Sequence, residues 1–250
     1  MPYFSYVQFN IGPVVFYTWG LFLGLALLAG CWVFMKEAKK EGVEEKKILQ
    51  LFFWVFIGVI FGSRFFYLLL QFPVFDFSAF FQFRAGGVAF QGGLLGGLLA
   101  GWVYALKNKL SFWQLADWAA PAIALGIFFG RIGCSLINGH QGALTNLPWA
   151  IQWPDGALRH PVAEYLALNG LIMFFVLRRL RFFVKKEGRL FIIFLVWHSV
   201  SRFFLDFTRV TDTNLADPSF LNLAITQWMA LLILTALGGF LIWRFRKDKV

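Results

Sequence analysis

Apolar stretches of about 20 residues recur from one end of the chain to the other, each long enough as a helix to cross a hydrocarbon core of roughly 30 Å. Short segments rich in charge, glycine or proline separate them. This pattern predicts seven helices, near residues 14–35, 48–70, 88–106, 114–137, 161–180, 190–208 and 222–243. We therefore predict an all-α polytopic membrane protein with a single membrane-embedded domain over residues 1–250.

The positive charges lie between the predicted helices and mainly on one side. Of the 23 Lys and Arg residues, 17 lie in the connections 36–47, 107–109 and 178–189 and in the tail 244–249. The connections on the opposite side hold three. Because Lys and Arg are concentrated in cytoplasmic loops, we expect the N-terminus outside and the C-terminus in the cytoplasm.

The composition excludes a soluble globular domain. The chain is 59% hydrophobic and 14% charged, whereas a soluble domain carries about 25% charged residues. The net charge of +10 comes from short basic clusters between the apolar runs, which is the pattern of cytoplasmic loops rather than of a nucleic-acid-binding face. We therefore predict no nucleic-acid binding. Cys31 and Cys134 fall inside apolar runs, which favours neither a disulfide nor a metal site.

We single out five charged residues inside the predicted helices: Arg64, Arg131, Glu164, Arg202 and Asp206. A charge inside a bilayer is costly unless it is paired or solvated, so each is a functional candidate. In the predicted orientation all five lie in the outer half of the membrane. The three arginines exceed the two carboxylates, and the phosphate of an anionic lipid headgroup would compensate the excess charge. For any one arginine, the simpler interpretation is snorkelling or pairing with a carboxylate.

The sixth predicted helix carries His198, Arg202 and Asp206 at i, i+4 and i+8, so the three share one face. Arg202 and Asp206 can pair directly, in which case Asp206 holds Arg202 in its rotamer. Arg209 follows roughly 10 Å along the axis from Arg202 and is either part of the site or interfacial.

Two segments carry the most specific patterns. Residues 85–97 place six glycines around Gln91 at the outer start of the third helix, where glycine serves either the approach of a lipid or ordinary helix packing. The segment Gly130-Arg-Ile-Gly-Cys-Ser-Leu-Ile-Asn-Gly-His140 joins an intramembrane arginine to a polar exit that contains Asn138. His140 and His198 are candidate proton acceptors, although a lone histidine is usually structural.

Several short motifs, spread over most of the chain, resemble in their order and spacing those of the prolipoprotein diacylglyceryl transferases. The matching motifs are Trp19-Gly-Leu, Gly62-Ser-Arg-Phe-Phe-Tyr67, Gly86-Gly-Val-Ala-Phe-Gln-Gly-Gly93, Gly130-Arg-Ile-Gly133, Ile137-Asn-Gly139, Arg159-His-Pro161 with Tyr165, and Arg202-Phe-Phe204 with Asp206 and Arg209.

The resemblance implies an enzyme of the bacterial inner membrane that uses no metal or soluble cofactor. Its substrates would be phosphatidylglycerol and prelipoprotein lipobox peptides: the diacylglyceryl group moves to the lipobox cysteine thiol and glycerol phosphate is released. In the family, the arginine matching Arg131 binds the lipid phosphate, and the one matching Arg202 is also needed. The residues expected to bind substrate are Arg64, Gln91, Arg131, Asn138, Glu164, Arg202, Asp206 and Arg209. Those expected to be catalytic are Arg131, Arg202, His140 and His198.

The chain departs from the family pattern near the expected base. Gln91 stands where the family has histidine, His198 where it has tyrosine, Cys134 where it has asparagine, and His140 where it has an acidic residue, while Glu164 is displaced to just before Tyr165. Glutamine cannot accept the proton of the attacking thiol. Either His140 or His198 takes over, or the field of the arginines lowers the thiol pKa, or the activity has changed.

Two alternatives remain at this point. One is a divergent transferase that moves a lipid group to another acceptor. The other is a lipid or anion transporter, or a lipid-binding membrane protein, in which Glu164 and Asp206 would form a proton relay. Coupling to protons distinguishes them, because a transferase needs none.

Overall fold

The computed structural model describes residues 2–70, 89–210 and 219–247, with the backbone alone for residues 70, 90, 91 and 240–247. Long helices lie where the hydropathy pattern predicts them. They are α1 (Thr18–Lys40), α2 (Glu45–Leu70), α3 (Phe90–Lys107), α4 (Phe112–Leu136), α5 (Val162–Leu180), α6 (Arg189–Leu205) and α7 (Ile225–Lys247).

The prediction of helix over residues 14–17 is wrong, because these residues form a strand. The strand β1 (Gln8–Ile11) pairs antiparallel with β2 (Val14–Tyr17). Gly12, at φ +59°, supplies the positive φ that the two-residue turn requires. The β-branched and aromatic residues of β2 favour a strand, which hydropathy alone does not distinguish from a helix.

Two shorter antiparallel ribbons lie in the later connections. They are β3 (Ile151–Gln152) with β4 (Leu158–Arg159), and β5 (Ser219–Phe220) with β6 (Leu223–Ala224). The second ribbon replaces the predicted start of the last helix at residue 222.

Within the described residues, four helices are long and apolar enough to cross a membrane. They are Thr18–Lys40, Glu45–Leu69, Phe112–Leu136 and Arg189–Thr208, and a shorter apolar stretch, Ile225–Gly239, lies in α7. The predicted class, a helical membrane protein, is therefore confirmed.

The chain divides into two compact units, one of Met1–Phe34 with Ala116–Val250 and the other of Met35–Leu115. The single membrane-embedded domain stays a prediction. In the first unit α6 packs against α5 and α7. Gly170 lets α5 approach α4 closely, since a Cβ there would lie 3.0 Å from the backbone nitrogen of Phe128.

In the second unit α2 and α3 cross with their backbones in contact. Gly58 and Gly62 of α2 face Gly92 and Gly96 of α3, and a methyl group on any of the four would overlap a carbonyl oxygen of the opposite helix. This is the close approach that small residues four positions apart allow between membrane helices. The packing role of these glycines is thus confirmed.

We expect Gly96→Ala to lower the free energy of unfolding by about 1–3 kcal/mol, because the added methyl meets backbone that cannot rotate away. The measurement is the unfolding midpoint in mixed detergent micelles. Gly101→Ala is the matched control, since its Cβ would meet only the Val55 side chain at 3.4 Å. Equal stability of the two variants would contradict the crossing.

Candidate functional site

An ion pair lies at the C-terminal end of α6, largely withdrawn from solvent. Arg202 Nη2 is 3.1 Å from Asp206 Oδ2, and the two side chains are 12% and 0% exposed. Thr226, at the start of α7, donates a hydrogen bond to the same carboxylate oxygen at 2.6 Å. The predicted pairing is confirmed, and Asp206 holds the Arg202 guanidinium in place.

His198 lies one turn before Arg202, with its ring stacked on Phe194 at a centroid distance of 5.8 Å. The charges of Arg202, Arg131 and Asp206 all act on the His198 imidazole. Arg131 of α4 therefore lies near enough to His198 of α6 for its charge to act on the ring, a proximity that spacing along the sequence does not reveal. Two guanidinium groups and one carboxylate leave this cluster with an excess positive charge.

Arg131 is half-buried on α4. Its guanidinium donates no hydrogen bond to any part of the chain that the structure describes. One turn further along α4, Ser135 donates a hydrogen bond to Glu164 Oε1 at 2.5 Å. Because residues four apart share a helix face, the Glu164 carboxylate lies on the Arg131 face of α4, one turn closer to its C-terminal end.

The N-terminal segment covers the end of α4. Asn138, in the left-handed region at φ +48°, donates its amide hydrogen to the Phe4 carbonyl at 2.7 Å. The Tyr6 backbone nitrogen donates to the Leu136 carbonyl at 2.8 Å. These bonds fix the exit of α4 and give Asn138 a structural partner; its role in binding substrate stays a prediction.

The connection between α4 and α5 is tied to the end of α6. The backbone of Gly142 pairs with that of Arg209. The buried guanidinium of Arg159 donates to the Gly142 carbonyl at 3.1 Å. His140 is half-buried two residues before this point. The proposed roles of His140 and Arg209 stay predictions.

Arg64 belongs to the second compact unit. It is 2% exposed, and its guanidinium carbon lies 5.6 Å from the centroid of the Tyr67 ring. The neighbouring Ser63 carbonyl accepts a hydrogen bond from the Ala89 nitrogen at the start of α3, at 3.0 Å. The side chain of Gln91 lies outside the described residues.

Asp117 is a half-buried acid that the sequence reasoning missed. Its carboxylate accepts backbone hydrogen bonds from Gly188 at 2.7 Å and from Phe191 at 2.8 Å. A side chain of α4 therefore caps the N-terminus of α6, a position that favours negative charge. The available signal was an acidic residue inside the apolar run of the fourth helix.

The motif residues His160 and Tyr165, to which the sequence reasoning assigned no role, form a second polar group with Trp149. The Tyr165 hydroxyl accepts a hydrogen bond from the Trp149 indole at 2.7 Å. The same hydroxyl lies 3.3 Å from His160 Nδ1. Burial lowers the pKa of His160 below its ordinary value near 6.5. The contacts of Trp149 and His160 with the Tyr165 hydroxyl link α5 to the connection that precedes it.

The helices and the site together define a membrane-embedded helical protein with a cationic cluster shared by α4 and α6. Within the described ranges, no three His, Cys, Asp or Glu side chains converge to hold a metal ion. The profile of the prolipoprotein diacylglyceryl transferase family matches residues 6–243, so the chain belongs to that family.

Three relatives carry the name phosphatidylglycerol–prolipoprotein diacylglyceryl transferase. The protein of Idiomarina loihiensis is 36% identical over 267 residues, covering 99% of this chain and 98% of the relative. That of Chromohalobacter salexigens is 33% identical over 251 residues, covering 96% and 92%. That of Actinobacillus pleuropneumoniae is 34% identical over 265 residues, covering 99% and 97%. The similarity thus extends over nearly the whole length of each.

The lowered pKa of His160 predicts a pH-dependent stability. Between the two pKa values the unfolded chain binds more protons than the folded one, so stability is full above about pH 6.5 and falls as the pH drops towards the folded value. We expect the unfolding midpoint of the wild type to fall more steeply on acidification than that of His160→Gln. The glutamine has nothing to titrate, and its amide can still bond the Tyr165 hydroxyl. Parallel midpoint curves from about pH 7.5 to 5.5 would contradict this assignment.

Proposed function

We propose that this chain transfers the diacylglyceryl group of phosphatidylglycerol to the lipobox cysteine thiol of prelipoproteins and releases glycerol phosphate. The observation that carries the proposal is that the charges of Arg131 and Arg202 both act on the His198 ring, in a chain that belongs to this transferase family. The site is a positively charged cluster within membrane helices, as a lipid phosphate requires.

We further propose a multi-pass protein of the bacterial inner membrane, with all seven helices crossing the bilayer and the N-terminus outside. The concentration of Lys and Arg in the connections 36–47, 107–109 and 178–189 supports this orientation. It places Arg131 and Arg202 at the outer ends of their helices, on the side where prelipoproteins emerge.

Arg131 and Arg202 have different tasks in binding the headgroup. Arg202 is held by Asp206, so its position is fixed before the lipid arrives. The Arg131 guanidinium gives no hydrogen bond to the described protein, and its planar fork can bind two phosphate oxygens at once. One preset and one uncommitted guanidinium then hold the same phosphate.

The reaction makes a carbon–sulfur bond and breaks a carbon–oxygen bond. The thiolate attacks the glycerol carbon of the diacylglyceryl group, and the phosphate oxygen leaves with the electron pair. The leaving glycerol phosphate gains a second negative charge, which the two guanidinium groups stabilise as it develops. The thiol proton goes to a base before or during the attack.

Either a histidine accepts the thiol proton, or the positive field of the arginines lowers the thiol pKa enough for the thiol to lose its proton to solvent. His198, one turn before Arg202 on α6, is one candidate. His140, half-buried in the outer connection, is the second. A positive field lowers a thiol pKa and increases the thiolate fraction, so the arginines assist either base.

The test is transfer of radiolabelled diacylglyceryl from phosphatidylglycerol to a lipobox peptide by the purified chain. We expect Arg131→Ala to reduce transfer by about 100-fold, because a bidentate charged contact contributes about 3 kcal/mol. Arg131→Lys should retain part of the activity, since it keeps the charge without the fork.

Arg179→Ala is the matched control, because Arg179 is exposed at the opposite end of α5. It should transfer at the wild-type rate. Full transfer by folded Arg131→Ala would refute the phosphate role, and no transfer by folded wild type would refute the activity.

A further inference from the structure

A groove of about 690 Å³ runs along the α2–α3 pair of the second compact unit, and no residue of the arginine cluster described above lines it. Its floor includes Gly58, Gly62 and Gly96, the residues at which the two helices cross, together with Ala100. The close crossing leaves no large side chain to fill the space between the helices. The same glycines therefore produce both the packing and the groove.

The walls of the groove are apolar and open to the surroundings. They are formed by Trp54, Phe61, Phe65, Leu99 and Val103. These side chains are between 38% and 58% exposed, so the groove faces outwards from the helix pair. In a membrane helix such a surface meets acyl chains.

One end of the groove is polar. Tyr104, Lys107 and Asn108 line it there. The Tyr104 hydroxyl donates to the Lys47 carbonyl at 2.9 Å, which brings the basic start of α2 beside this end. Lys107 is exposed, and no carboxylate of residues 2–70, 89–210 or 219–247 pairs with it.

We propose that this groove binds one anionic phospholipid, with an acyl chain between the aromatic walls and the phosphate at Lys107 and Asn108. An apolar slot that ends in a single cationic side chain is complementary to an amphiphile with a negative headgroup. A zwitterionic lipid has the same tails and no net charge to place beside the lysine. In the orientation proposed above, the lipid belongs to the cytoplasmic leaflet.

The probe is a photoactivatable phosphatidylglycerol with a diazirine in its acyl chain, reconstituted with the full chain and without acceptor peptide. Mass spectrometry of the labelled peptides locates the probe. We expect labelling on α2 and α3 and about fivefold less of it in Lys107→Gln, because one lysine near a membrane surface is worth about a fivefold change in lipid binding. Lys109→Gln removes the same charge outside the groove and should label as the wild type does.

Two further variants test the groove itself. Val103→Trp fills it and should abolish labelling of α2 and α3, whereas Leu98→Trp, on the same helix but outside the groove, should not. The unfolding midpoint of each variant confirms that it folds. Equal labelling by a phosphatidylcholine probe, equal labelling of Lys107→Gln and Lys109→Gln, or crosslinks between two copies of the chain would each overturn the proposal.

Discussion

The buried ion pair between Arg202 and Asp206 is the interaction on which the site depends. A charge in an apolar medium is costly unless a partner offsets it, and removal of either partner leaves the other buried and uncompensated. Thr226 adds a second bond to the same carboxylate and links the pair to α7. A guanidinium held in this way keeps its position and its charge without a ligand.

The rest of the first compact unit holds the ends of the two helices that carry Arg202 and Arg131. Asp117 caps the start of α6, and the Arg202–Asp206 pair fixes its end, so the helix is held at both termini. The N-terminal segment holds the end of α4 through Asn138. The charges of both arginines act on the His198 ring, and a phosphate bound near that ring would be attracted by both. Arg202 is thus already oriented before substrate binds.

Patterns within single segments of the sequence predicted the features that depend on those segments alone. Hydropathy located the helices, the i, i+4 spacing predicted the Arg202–Asp206 pair, and the glycines of α3 predicted close packing. Spacing along one helix carries no information about neighbours from another. The contact of Asp117 with α6 and the approach of Arg131 to His198 therefore required the tertiary structure. The β-hairpin before α1 was missed because an apolar run fits a strand as well as a helix.

The central claim is that Arg131 and Arg202 act on one phosphate, and a double-mutant cycle tests it most directly. The measurement is kcat/KM for phosphatidylglycerol in the wild type, in Arg131→Lys, in Arg202→Lys and in the double variant, with Asp206 left intact. A shared phosphate predicts that the two losses are not additive, with a coupling free energy of about 1 kcal/mol or more. Losses that add to within about 0.5 kcal/mol would show that the two arginines act on separate groups and would contradict the account.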